Sequence, residues 1–193
     1  MNSHIEKYLS IEELLSLPTF SDTTISEDGQ NIAFVKQTAD WKANTYQHHI
    51  WIYEKRKDPC FRIDEGASPS WSPDSRQLAY LHSVNKKNQI YVKSLDGSPA
   101  VQMTDEGEGI THFKWSPNGQ GFYYLAQSKE SEENKTRRES YGDFHRVGRD
   151  YQNHCLYYIE INDSSRKAQP LTDGQEFHIL EYDLSKDGKK WFY

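Results

Sequence analysis

The chain has 193 residues, 35 % of them hydrophobic and 27 % charged, and a formal net charge of −6. That balance sets aside a nucleic-acid binder, which needs a basic face, and no apolar run approaches the roughly 18 residues of a membrane span. Met1 to Ser10 lacks the basic-then-apolar layout of a secretion signal, so a cytoplasmic address is the default expectation.

In chain order, the first predicted element is a helix over residues 10–17. Ser10 can cap it, Glu13 three residues on completes a capping box, and Pro18 stops it. Its apolar residues Ile11, Leu14, Leu15 and Leu17 form one stripe that is expected to pack on something. From Asp22 onward the pattern is strands and turns.

One short motif then recurs four times: Ser26-Glu27-Asp28-Gly29, Ser72-Pro73-Asp74-Ser75, Ser116-Pro117-Asn118-Gly119 and Ser185-Lys186-Asp187-Gly188. In such a turn Ser accepts a backbone hydrogen bond, Pro presets φ, Asp or Asn tolerates the third position, and Gly supplies φ > 0 at the fourth. Strand-like triplets follow each copy: Ile32-Ala33-Phe34, Leu78-Ala79-Tyr80, Phe122-Tyr123-Tyr124 and Trp191-Phe192-Tyr193. A third strand per unit is predicted at Ile50–Tyr53, Ile90–Val92 and Leu156–Ile159, rich in β-branched and aromatic residues. Turns at Asp96-Gly97 and Asn162-Asp163 lead to a fourth, which ends alike at Met103-Thr104-Asp105 and Leu171-Thr172-Asp173. The anchor serines lie 46, 44 and 69 residues apart, so the third interval carries an insert. Repeats of this length with four strands each define propeller blades.

The expected fold is therefore all-β: after a helical lead-in over residues 1–20, an incomplete β-propeller over 21–193. Three complete four-stranded antiparallel blades fall near 21–66, 67–107 and 108–175, and a fourth begins over 176–193. Loops are expected at 36–47, 54–59 and 83–87, with the insert at 127–153. A closed ring needs at least four blades and commonly more, so these residues are expected to be part of a longer polypeptide. The unfinished fourth blade is expected to promote self-association through its open edge.

The insert opens with a charged run, Lys129 to Lys135, which reads as a solvated or disordered loop. Its second half mixes bases with aromatics, and Arg137, Arg138, Tyr141 and Arg146 are the candidate substrate- or partner-facing residues; a guanidinium fork there suits a peptide carboxylate or carbonyl. No catalytic, cofactor-binding or metal-binding residue is assigned. The histidine pair His48-His49 and the trio His112, His145 and His154 lack zinc-ligand spacing. Cys60 and Cys155 are isolated thiols, and the acids Asp28, Asp74, Asp105, Asp173 and Asp187 belong to repeated turns.

The order helix, Leu17-Pro18, Ser21-Asp22, first anchor resembles the amino-terminal propeller of the prolyl oligopeptidase family of serine peptidases, above all the acylaminoacyl-peptidase and dipeptidyl-aminopeptidase branch. The Trp-Ser-Pro anchors at Trp71 and Trp115 are shared with TolB-like propellers. The insert through Arg137-Arg138 and Tyr141-Gly142 is similar to segments at the same blade position in that peptidase branch. Glu27 and Lys186 depart from the usual proline. The resemblance implies an α/β-hydrolase domain carrying Ser, Asp and His outside these residues, since no Gly-x-Ser-x-Gly elbow occurs here. It implies a non-catalytic propeller that gates and lines the substrate cavity of an intracellular peptidase acting on short or N-acylated peptides. The alternatives are a TolB-like protein-binding platform and a propeller enzyme with its site inside the ring.

Overall fold

The computed structural model describes residues 8–55, 57–128, 132–142, 153–162, 166–174 and 177–193. They form two compact units, Met1–Ser70 and Trp71–Tyr193.

In the first unit, helix α1 spans Ile11–Leu15 with its capping box made: Glu13 N–H donates to Ser10 Oγ at 3.1 Å and Ser10 N–H to Glu13 Oε2 at 2.9 Å. It stops short of the expected residue 17 because Ser16 turns its hydroxyl back to the Glu12 carbonyl at 2.7 Å and caps the end. The apolar stripe does not find the cover expected of it. Ile11, Leu14, Leu15 and Leu17 stay 45–74 % exposed, and a helix this short is held by its caps and by the Trp41 indole N–H, which donates to Ser16 Oγ at 2.9 Å.

Strands β1 (Thr19–Ile25), β2 (Asn31–Asp40), β3 (Thr45–Glu54) and β4 (Lys57–Glu65) pair in that order into an antiparallel sheet. A bulge between Ser21 and Thr24 interrupts β1. It leaves Asp22 at φ 49° with its carboxylate accepting from Ser68 N–H at 3.1 Å. The connection expected over residues 36–47 shrinks to 41–44, since β2 and β3 stay paired from Asn31↔Glu54 to Asp40↔Thr45. The gaps at 54–59 and 83–87 shrink likewise, the latter because Val84 pairs with Lys87.

A second sheet has the order β5 (Ala67–Trp71), β6 (Gln77–Val84), β7 (Lys87–Ser94), β8 (Val101–Gln102). A third comprises β9 (Ile110–Trp115), β10 (Gly121–Gln127), β11 (His154–Glu160) and β12 (Gln169–Pro170), and a fourth the pair β13 (Asp183–Leu184) and β14 (Trp191–Phe192). The outermost strands β8 and β12 are two residues long, and a threonine continues each edge. Thr104 Oγ1 accepts from Ile90 N–H and Thr172 Oγ1 from Leu156 N–H, both at 2.9 Å. That is the chemistry behind the shared Thr-Asp ending.

Helix α2, Glu132–Tyr141, lies between β10 and β11. The loop reading of Lys129–Lys135 is thus corrected from Glu132 on. Glu, Lys and Arg are good helix formers, and the sequence sets Glu133 four residues ahead of Arg137, the favourable spacing for opposite charges.

The core of the second unit follows one register. Counted from the anchor serine, positions six and eight face the preceding sheet: Phe122 and Tyr124 pack with Ala79, Leu81, Ile90 and Val92 of the second sheet. Positions seven and nine face the following one: Leu125, with Tyr123 against it, packs with Ile179, Tyr182 and Trp191. Ala79 and Leu81, seven and nine after Ser72, obey the same rule, as does Trp191, six after Ser185. Phe122 and Tyr124 are fully buried, so truncating either to alanine costs about 3–5 kcal/mol.

Candidate functional site

The four anchors are one hydrogen-bond circuit made four times. Ser26, Ser72, Ser116 and Ser185 each donate Oγ–H to the acidic or amide side chain two residues on, at 2.5–2.6 Å. Each Oγ accepts the backbone N–H five residues on at 2.9–3.0 Å. The carboxylates gain two donors, the hydroxyl first and a backbone N–H next, which holds Asp28, Asp74 and Asp187 below the ordinary 3.8 of an aspartic acid. The fourth position takes φ of 60–71° in every copy, Ser75 included. These serines have spent their proton on a carboxylate or amide rather than an imidazole, so they stabilise turns and are not poised nucleophiles.

Of the candidate contact residues, the structure brings Arg137, Arg138 and Tyr141 together on α2. Tyr141 lies four residues from Arg137 and three from Arg138, neighbouring positions on a helix surface. Tyr141 is 76 % exposed, Arg138 is exposed and Arg137 half-buried. Gly142, at φ 90°, closes the helix with its N–H on the Arg138 carbonyl at 3.0 Å. Two guanidinium groups beside a phenol can hold a carboxylate or a peptide carbonyl by charge-assisted hydrogen bonds. Arg146 lies outside the described residues, as does His145.

Sequence reasoning missed a second polar cluster, on the first strands of the third and fourth sheets. Lys114 Nζ meets Asp183 Oδ1 at 2.7 Å and lies 5.7 Å from the Tyr182 ring centre. His112 sits edge-on to the same ring at 5.5 Å. Tyr182 is buried, and its hydroxyl donates to the Tyr123 carbonyl at 2.6 Å. Burial, then Lys114, lowers the His112 pKa from 6.5, keeping it a neutral imidazole at pH 7. The available signal was the polar residue alternating with Phe113 and Trp115 along β9.

His49 is buried in β3, and burial first, then Arg62, lowers its pKa from 6.5. Its Nε2 lies 3.6 Å from Glu65 Oε1, a pull in the opposite direction that desolvation outweighs because Glu65 is largely exposed and water-screened. Among the described residues no group of three or more His, Cys, Asp or Glu side chains could hold a metal ion, and no helix is long and apolar enough to cross a membrane.

Antiparallel sheets joined by one repeated turn, with fixed preceding and following faces, define a β-propeller segment. Residues 26–113 match the family described as the dipeptidyl peptidase IV (DPP IV) N-terminal region. Among curated proteins, the chain is 27 % identical over 146 residues to the uncharacterized peptidase YuxL of Bacillus subtilis, covering 71 % of the chain and 22 % of that protein. The chain therefore spans about a fifth of that relative's length. Among solved structures, the acylaminoacyl peptidase of Pyrococcus horikoshii superposes with a TM-score of 0.61 at 17 % identity, over 80 % of the chain and 26 % of its own. TolB of Acinetobacter baumannii gives 0.59 at 20 % identity, over 90 % and 37 %. The fold is common to peptidase propellers and to TolB.

Proposed function

We propose that this chain is the non-catalytic propeller portion of a serine peptidase acting on short or N-acylated peptides. It gates access to, and lines, the substrate cavity of an α/β-hydrolase domain belonging to the same parent protein, in the cytoplasm. The observation that carries this reading is the match of residues 26–113 to a peptidase N-terminal region, joined to Arg138 and Tyr141 three residues apart on α2, where a peptide carboxylate or carbonyl could be held. The open stripe of α1 supports a docked domain: Ile11, Leu14 and Leu17 present an apolar face of the kind another domain covers. Self-association through an open blade edge belongs to the same reading.

The test uses residues 1–193 beside the longer parent protein. A fluorophosphonate serine probe is expected to label the parent outside these residues and to leave the isolated chain unlabelled, with N-acylated and dipeptide chromogenic substrates uncleaved. In the parent, Arg138→Ala together with Tyr141→Ala is expected to raise KM for short peptides with little change in kcat. Labelling of any serine within residues 1–193, or unaltered peptide kinetics in that double variant, would sink the respective half of the proposal.

A further inference from the structure

The third anchor differs from its sisters at one side chain. Where Asp28, Asp74 and Asp187 stand two residues after the serine, it carries Asn118, followed by Gly119. This is the sequence's one Asn-Gly pair; every other asparagine is followed by a residue with a side chain. Asparagine is a thermolabile residue. The reaction that makes it so is attack of the next backbone nitrogen on the side-chain amide, and a following glycine, which has no Cβ, leaves that approach unshielded. In the folded turn both reactants are held. Asn118 Oδ1 accepts from Ser116 Oγ–H at 2.6 Å and from Gln120 N–H at 3.0 Å, while Nδ2 donates to Gln120 Oε1 at 3.1 Å. The Gly119 N–H donates to the Ser116 carbonyl at 2.8 Å. Asn118 is exposed to water, yet its side chain is tied into the circuit and the attacking nitrogen is engaged elsewhere.

We propose that Asn118 is a site of spontaneous modification, deamidating to aspartate when the third anchor opens and then closing the same circuit that its three sisters make. The Gly119 nitrogen gives its proton to solvent and bonds to Asn118 Cγ. The Cγ–Nδ2 bond breaks, and Nδ2 takes up a proton and leaves as ammonia. Water then adds to the cyclic imide and opens it, so one water is consumed and one ammonia released with no change of oxidation state. Opening at one carbonyl gives aspartate, whose carboxylate accepts from Ser116 and Gln120 as Asp74 accepts from Ser72 Oγ–H at 2.6 Å and Arg76 N–H at 3.1 Å. A charged acceptor strengthens both bonds. Opening at the other carbonyl reroutes the main chain through the side-chain carbon and lengthens the turn. The spacing that lets Ser116 Oγ accept from Gly121 N–H at 2.9 Å is then lost. One product locks the turn; the other leaves it open.

The chain is held at mildly alkaline pH in buffer and in denaturing urea, and peptide mapping by mass spectrometry follows conversion at Asn118 beside Asn153 and Asn162. Conversion at Asn118 is expected to be slower by about tenfold or more in buffer than in urea, because only the opened fraction reacts. In urea it is expected to outpace the other two asparagines. Ser116→Ala, which releases the Asn118 side chain, is expected to raise the rate in buffer by about tenfold. Should that variant not fold, intermediate urea on the unaltered chain reads the same gate, with the rate following the open fraction. Asn118→Asp makes the product directly and is expected to match or exceed the urea midpoint of the unaltered chain at neutral pH. The proposal is overturned by equal rates in buffer and urea, by no preference for Asn118 in urea, or by a lower midpoint for Asn118→Asp. None of these outcomes touches the peptidase reading, which is decided by probe labelling and peptide kinetics.

Discussion

Pro117 of the third anchor lies against Gly188 of the fourth: its Cδ is 3.3 Å from the position a Cβ on Gly188 would occupy. Pro73 stands in the same relation to Gly119, at 3.6 Å. The proline that presets one turn is thus also the floor on which the next anchor rests. Both glycines have left-handed φ, 68° and 71°, so alanine there meets backbone strain and, at Gly188, a tight neighbour as well. Gly119→Ala and Gly188→Ala are each expected to cost about 1–2 kcal/mol, read as a lower urea midpoint. Gly107, which has open space and no positive φ, is the matched control and should tolerate alanine.

Ser116 is buried, and its Oγ both accepts from Gly121 N–H at 2.9 Å and donates to Asn118 at 2.6 Å. Ser116→Ala leaves that amide without its partner, and we expect a loss of about 1–3 kcal/mol in denaturant unfolding. Ser185→Ala should cost less, because water can replace the hydroxyl at the more exposed fourth anchor.

The anchors also set a pH dependence. The Ser72 hydroxyl and then Arg76 N–H hold Asp74 below 3.8, so the folded chain binds that proton less readily than the unfolded one. The resulting stability is fully present above pH 4 and is lost as pH falls through the folded value. Asp74→Asn is expected to fold, since Asn118 already fills this place in the third anchor, and to flatten the fall of the unfolding midpoint between pH 4 and pH 2. An unchanged slope would count against the assignment.

Tyr124 is fully buried, with its hydroxyl on Glu106 Oε1 at 2.5 Å and its ring stacked on Tyr157 at 5.5 Å. Burial first and the Glu106 hydrogen bond next push its ionisation far above 10. Tyr124→Phe keeps the ring packing and removes a bond to a charged group, for an expected loss of about 1.5–3 kcal/mol by thermal or urea unfolding. A double variant with Glu106→Gln should lose less than the sum of the two single changes.

What was legible in the sequence was what depends on local chemistry. A Ser, an Asp or Asn and a Gly at fixed spacing specify a turn by themselves, so the anchors and the strands beside them could be placed before any contact was known. The Thr-Asp endings were visible as a repeat, but their role was not, because Thr104 works on Ile90 fourteen residues away. Helix α2 escaped notice because it is polar on all sides and offers no apolar period to detect. Arg137 and Arg138 became neighbours of Tyr141, four and three residues on, only once those residues were helical. The Lys114–Asp183 pair joins positions 69 residues apart, a separation across which sequence alone gives no register.

Every sheet is a meander in which strands adjacent in sequence are adjacent in space, and every anchor closes its hydrogen bonds within six residues. This architecture has a consequence on the ribosome. Chain emerges at about 5–20 residues per second, whereas a hairpin forms in microseconds. One repeat therefore needs roughly 2–9 seconds to appear and almost no time to zip once it has. The sheets mature in order of synthesis, and within the second unit each offers its finished face as a template to the next. The third waits longest, because β11 cannot join β10 until the stretch bearing α2 has been translated.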